Sequence, residues 1–144
     1  MSKYGPIIIA SVFTWIGFVC AISFMEAWLK FRAPGVTVPL GLGIGRLVFG
    51  ALNKVEWVFM IAILTCVLAD GTWRSAISLF LPGLMIILLL QTFWLLPVLD
   101  ARAEAHISGT PPGPSYLHFY YVGMELIKVA CLLVYGILVF KKMA

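Results

Sequence analysis

Charge is what this chain has least of. Six acidic and ten basic residues make up 11% of its 144 positions, while hydrophobic residues make up 62%. A soluble domain this short leaves a large part of its surface in water and could not hide that much apolar area. With a mean hydropathy of +1.06, lipid is the expected solvent for most of the chain, and one compact unit spanning 1–144 is expected. Paired cysteine motifs are also missing. Cys20, Cys66 and Cys131 each sit inside an apolar run with no CxxC or Cys/His spacing, so they read as small packing residues. No basic and aromatic interleaving points to nucleic acid. The net charge of +4 instead suits anionic lipid headgroups. Strand-like alternation is absent too, which leaves helices as the way to satisfy a backbone in lipid.

What is present is four long apolar runs. About 20 apolar residues cross roughly 30 Å of hydrocarbon, and the runs predict spans over about 6–29, 45–69, 75–99 and 116–140. The expected fold class is all-α, a polytopic membrane protein built as a four-transmembrane-helix bundle. The first run follows Lys3 and is too long for the apolar core of a cleavable signal, so it reads as a retained helix. Residues 36–45 read as a Pro- and Gly-rich loop. Residues 100–114 read as a polar loop, and Pro82 reads as a kink near the start of the third helix. Four spans put both termini on the same side, the near side. The near side carries Lys3, Arg74, Lys141 and Lys142. The far side carries Lys30, Arg32, Arg46, Lys54 and Arg102. The positive-inside count leans only slightly toward a cytoplasmic far side.

The polar residues inside the runs are the functional signal, because ionisable groups at membrane depth are expensive. Glu26, Asn53, Glu56, Gln91, His118, Glu125 and Lys128 all fall toward the far ends of their helices. Arg46, Asn53 and Glu56 share one helical stripe. His118, Tyr121, Glu125 and Lys128, at intervals of three, four and three, share another. Facing lipid would leave them unpaired, so they are expected to converge on a far-side polar pocket. The competing reading treats them as ordinary interhelical contacts, with Glu26–Lys30 an interfacial pair and Lys54 snorkelling. Glu26, Glu56, Glu125 and His118 are conceivable metal ligands by residue type, but no Glu-x-x-His pair supports a carboxylate metal site, and no metal is expected. His118 alone is a weak basis for haem. No Ser or Cys stands at a spacing that makes a nucleophile. Gly41-Leu42-Gly43-Ile44-Gly45-Arg46 suits either an anion at a helix start or close helix packing.

Arg46, Asn53 and Glu56, with the Arg32–Pro39 segment and Thr110–Pro114, resemble the membrane-associated proteins in eicosanoid and glutathione metabolism. That resemblance implies a trimeric four-helix fold and glutathione as cofactor. It also implies that Arg46, Asn53 and Glu56 are its contacts and that Arg102 stabilises its thiolate. Two departures weigh against it: Gly45 stands where the family usually has an acidic residue, and its Arg–Tyr pattern near the end of the third helix is missing. The chain is also similar to small four-helix membrane families with a Phe- and Gly-rich second helix. The residues themselves favour a non-catalytic accessory subunit or a ligand- or lipid-binding module, with membrane lipids as partners and a homo-oligomer or larger membrane complex in view. A glutathione-dependent transferase and a small transporter using Glu56, Glu125 and Lys128 are the rivals. No complete catalytic constellation decides whether the pocket binds or reacts.

Overall fold

A computed structural model describes residues 3–143. Four helices are each long and apolar enough to cross a membrane: α1 Gly5–Arg32, α2 Val38–Ala69, α3 Ala76–Ile107 and α4 Leu117–Met143. No strand occurs among the described residues. Each helix packs on its neighbour in sequence, and α4 closes the ring against α1. Ile8, Asp70, Ser78 and Lys142 meet at one end, and Lys30, Gly41, Asp100 and His118 meet at the other. The helices therefore run up and down in alternation.

All four helices run longer than the apolar runs predict, α2 and α3 the most. α2 begins at Val38 rather than near Gly45. Thr37 caps it by accepting the Leu40 N–H at 3.4 Å, and Pro39 sits in its first turn, where a missing N–H costs nothing. The glycine segment is thus helical, not a loop. A Cβ on Gly41 would stand 2.2 Å from the Phe31 ring, and one on Gly45 would stand 3.1 Å from Lys30 Nζ. These glycines let the end of α1 lie directly on α2.

α3 does not stop at Leu99. Ala101, Arg102, Ala103, Glu104 and Ala105 are strong helix formers, and they carry the helix to Ile107. Gly109, at φ +81°, ends it: Thr110 N–H bonds Ala105 O at 2.9 Å and Gly109 N–H bonds His106 O at 3.3 Å. This is a Schellman closure, and it confines the loop to residues 108–116. Pro82 falls in the first turn of the regular α-helix Phe80–Leu90. α1 extends to Arg32 through a 3-10 turn at Lys30–Arg32.

Two helices contain a wider π-helical stretch, Cys20–Glu26 in α1 and Gln91–Leu95 in α3. The Ala27 N–H reaches back to Ile22 O, and the Leu96 N–H to Gln91 O. In α3 the cause is legible. Pro97 has no N–H to give and crowds the carbonyl four residues earlier, so the turn before it opens. No residue in Cys20–Glu26 supplies an equivalent reason.

The core is a continuous apolar column from Ile8, Val12, Trp15 and Val19 on α1 to Met60 and Ile63 on α2, Leu84 and Leu88 on α3, and Leu132 and Tyr135 on α4. Outward positions are just as apolar: Ile61, Leu68, Ile86, Phe93, Leu126 and Phe140 are all exposed. α1 and α4 approach closely at Gly136, where a Cβ would stand 3.0 Å from Val12 Cγ1 and 3.2 Å from Phe13 Cε2. Gly136→Leu should therefore cost about 1–3 kcal/mol through overpacking. Gly123→Ala, with no atom within 4 Å of its Cβ, should be neutral or gain up to about 1 kcal/mol. Denaturant unfolding of both variants in detergent checks the pair.

Candidate functional site

The polar residues occupy two layers rather than one. Because α2 starts seven residues earlier than its apolar run suggests, Glu56 lies 18 residues, about 27 Å, from the far end of α2 and 13 residues from the other. Gln91 is equally central in α3. The inner layer is thus near mid-length, and an outer layer lies at the far end.

The inner layer centres on Lys128. Its ammonium donates to Glu56 Oε1 and, at 2.6 Å, to Glu125 Oε1. All three residues are wholly buried. Trp15 Nε1 donates to Glu56 Oε1 at 2.9 Å. Ser23 Oγ donates to Glu125 Oε2 at 3.0 Å, and Gln91 Nε2 to Glu125 Oε1 at 2.6 Å. Both Ser23 and Gln91 lie in the π-helical stretches. A π-turn shifts the facing of the residues that follow it, and such turns are frequent at functional sites. Beside this triad, Thr92 Oγ1 donates to Asn53 Oδ1 at 3.1 Å and accepts from Trp57 Nε1 at 2.9 Å. Among the described residues, three buried side-chain atoms have no partner: Glu56 Oε2, Gln91 Oε1 and Asn53 Nδ2.

The outer layer is an ionic rim. Arg46 holds Asp100 through two hydrogen bonds, at 2.6 and 3.0 Å, and also holds Glu104. Lys30 pairs with Glu26 at 3.3 Å. Between the rim and the inner layer is a cavity of about 380 Å³. Its walls are mostly apolar, with Phe31, Leu42, Phe49, Leu96, Leu99 and Ala103 prominent, and its polar atoms come from Thr92, Tyr121, His118 and the rim. Tyr121 packs edge-on against Phe49 with ring centroids 5.2 Å apart, and its phenol interacts with Ser23. One tyrosine thus borders both the cavity and the inner network.

The sequence-predicted residues divide accordingly. Glu56, Asn53, Gln91, Glu125 and Lys128 meet in the inner layer. Arg46, His118 and Tyr121 line the cavity, and Glu26 is tied to it only through Lys30. Arg46 and Glu56 share a stripe of α2 but stand ten residues, about 15 Å, apart along it. Arg102 binds the Gly113 carbonyl and does not line the cavity. The expected far-side convergence is therefore replaced by a mid-length network with a cavity beyond it. No group of three or more His, Cys, Asp and Glu side chains suited to a metal ion occurs among the described residues. Sequence reasoning passed over Trp15, Ser23, Thr92, Asp100 and Glu104. Ile8, Val12, Trp15, Val19 and Ser23 follow each other at four, three, four and four residues, a helical face that could have marked Trp15 and Ser23 as inward. Thr92 and the acidic rim carry no such signal.

Compared with protein-family models, curated proteins and solved structures, the chain matches none.

Removing one partner from a buried ionic group leaves charge uncompensated and typically costs 3–5 kcal/mol, whereas replacing the whole group by neutral side chains is often harmless. Lys128→Met should accordingly lose about 3–5 kcal/mol. Glu56→Gln/Glu125→Gln/Lys128→Met should recover most of it. Unfolding of the single and triple variants in the same detergent gives the comparison.

Proposed function

We propose that this chain is an integral, multi-pass membrane protein and that its far-end cavity binds an amphipathic molecule, with an apolar body and a small polar head. Four helices of 27–32 residues measure about 40–48 Å and exceed a hydrocarbon core of roughly 30 Å. The excess accommodates the polar ends of α2 and α3, which places the Arg46–Asp100–Glu104 rim at headgroup level. The apolar outer surface then faces lipid.

The observation that carries the binding reading is the cavity itself. A pocket of a few hundred Å³, apolar with a few convergent polar groups, is the usual form of a small-molecule site. Its arginine and lysine are each held by carboxylates, so a strongly anionic head gains little from them. His118, Thr92 and Tyr121 are the groups that can hydrogen-bond a modest polar head. The apolar walls with few polar groups support a binding module or accessory subunit.

Membrane insertion is checked by alkaline extraction, which should leave the chain in the membrane pellet. Binding is checked by titrating purified protein with a pyrene-labelled fatty alcohol, whose head is polar and uncharged. Saturable binding should weaken at least tenfold in Ala103→Trp, which fills the cavity. It should persist in Leu79→Trp on the exposed outer surface. Equal binding by both variants would remove the cavity from the account. Glutathione, tested in the same assay and with an electrophilic aromatic halide, is the rival occupant. Saturable glutathione binding with turnover would favour the transferase reading.

A further inference from the structure

The inner triad holds one more acid than base. Glu56 and Glu125 contribute two carboxylates and Lys128 one ammonium, and all three are wholly buried. The other groups in contact with them are neutral: Trp15 and Ser23 on α1, Gln91 on α3 and Tyr121 on α4. With all groups charged, the site would keep a net negative charge in the buried centre of the bundle, where an uncompensated ion is very costly.

The hydrogen bonds say where the balance is struck. Glu125 receives three donors: Lys128 and Gln91 on Oε1, and Ser23 on Oε2. Both of its oxygens act as acceptors, as in a carboxylate. Glu56 receives Lys128 and Trp15 on Oε1 alone, and its Oε2 is buried without a partner. A metal cation is a poor fit there. A hard cation takes about six oxygen ligands, and the buried side-chain oxygens left unpartnered in the described residues are only Glu56 Oε2 and Gln91 Oε1. A proton needs one.

We propose that the Glu56–Lys128–Glu125 triad is a single-proton binding site, with the proton carried on Glu56 Oε2. The triad is then neutral overall, with Glu125 and Lys128 as the ion pair and Glu56 as the acid. The assignment stands on the buried network and is independent of what occupies the cavity.

Infrared spectroscopy of the purified protein at neutral pH reads the site directly. The wild type should show the carbonyl band of one carboxylic acid, and the band should move to lower frequency in deuterated water. Glu56→Gln should abolish it. Glu125→Gln should abolish it as well, because Glu56 then becomes the sole counter-ion of Lys128. Replacing potassium by sodium in the buffer should leave it unchanged. Absence of the band from the wild type, its survival in either variant, its indifference to deuterated water, or its loss in sodium would each overturn the proposal. If a variant does not fold, the wild-type spectrum still tests the single acid, since absence of its band overturns the proposal, and Glu56→Asp, which keeps an acid at that position, should keep the band at a shifted frequency.

Discussion

One ammonium group organises this protein. Lys128 lies on α4, bonded to Glu125 on its own helix and to Glu56 on α2. Those two carboxylates in turn take hydrogen bonds from Trp15 and Ser23 on α1 and from Gln91 on α3. All four helices thus meet through a single connected network. Apolar packing between helices surrounded by lipid is weakly directional, because the tails are as apolar as the side chains. A hydrogen-bonded network at mid-length is directional, and it fixes which face of each helix points inward. The rotation of α2 that buries Glu56 also turns Arg46 toward Asp100 and Glu104, and places Gly41 and Gly45 against α1.

The two π-helical stretches belong to the same constraint. Ser23 and Gln91 are the neutral donors to Glu125, one from each stretch. An extra residue in a turn changes the facing of everything beyond it, so the halves of α1 and α3 on either side of the stretch can be fitted separately. The near halves fit the apolar column, while the far halves fit the cavity and its rim. Pro97 explains the opening in α3 from the covalent chain alone. In α1 only tertiary packing accounts for it, which is why no sequence pattern announced it.

That contrast describes how far the sequence could be read. Helix class and number follow from apolar run length, because a run of 20 or more residues has few other fates. The inward placing of Glu125 and Lys128 follows from their spacing and from the cost of pointing them elsewhere. Depth was harder to read. Glycines at 41, 43 and 45 look like loop residues when propensity is the only guide, yet Phe31 and Lys30 lie so close to α2 that larger side chains at 41 and 45 would clash. Asp100 and Glu104 look like the end of a span, yet alanine-rich sequence and Arg46 keep them helical. Each misjudged end shifted the apparent position of the polar residues toward the far side. The triad and the rim therefore merged into one pocket, where the structure keeps two layers.

Separating the layers changes the chemistry that can be assigned to them. Read from sequence alone, Arg46 after its glycine run would be a free cation and a phosphate or carboxylate ligand would follow, whereas Lys30 already has Glu26 four residues away. Their carboxylate partners come from α3 and α1 and neutralise that attraction. Exposed ion pairs of this kind contribute little stability, so their effect on the cavity is chiefly to set its charge. The inner layer has the reverse character: its ion pair is sealed, its balance is off by one, and its one carboxylate oxygen left without a partner belongs to Glu56. Tyr121 stands between the two, with Phe49 on the cavity side and Ser23 on the other. The three donors to Glu125 (Ser23, Gln91 and Lys128) do not themselves line the cavity, so the triad's charge distribution is set by the buried network and not by the rim.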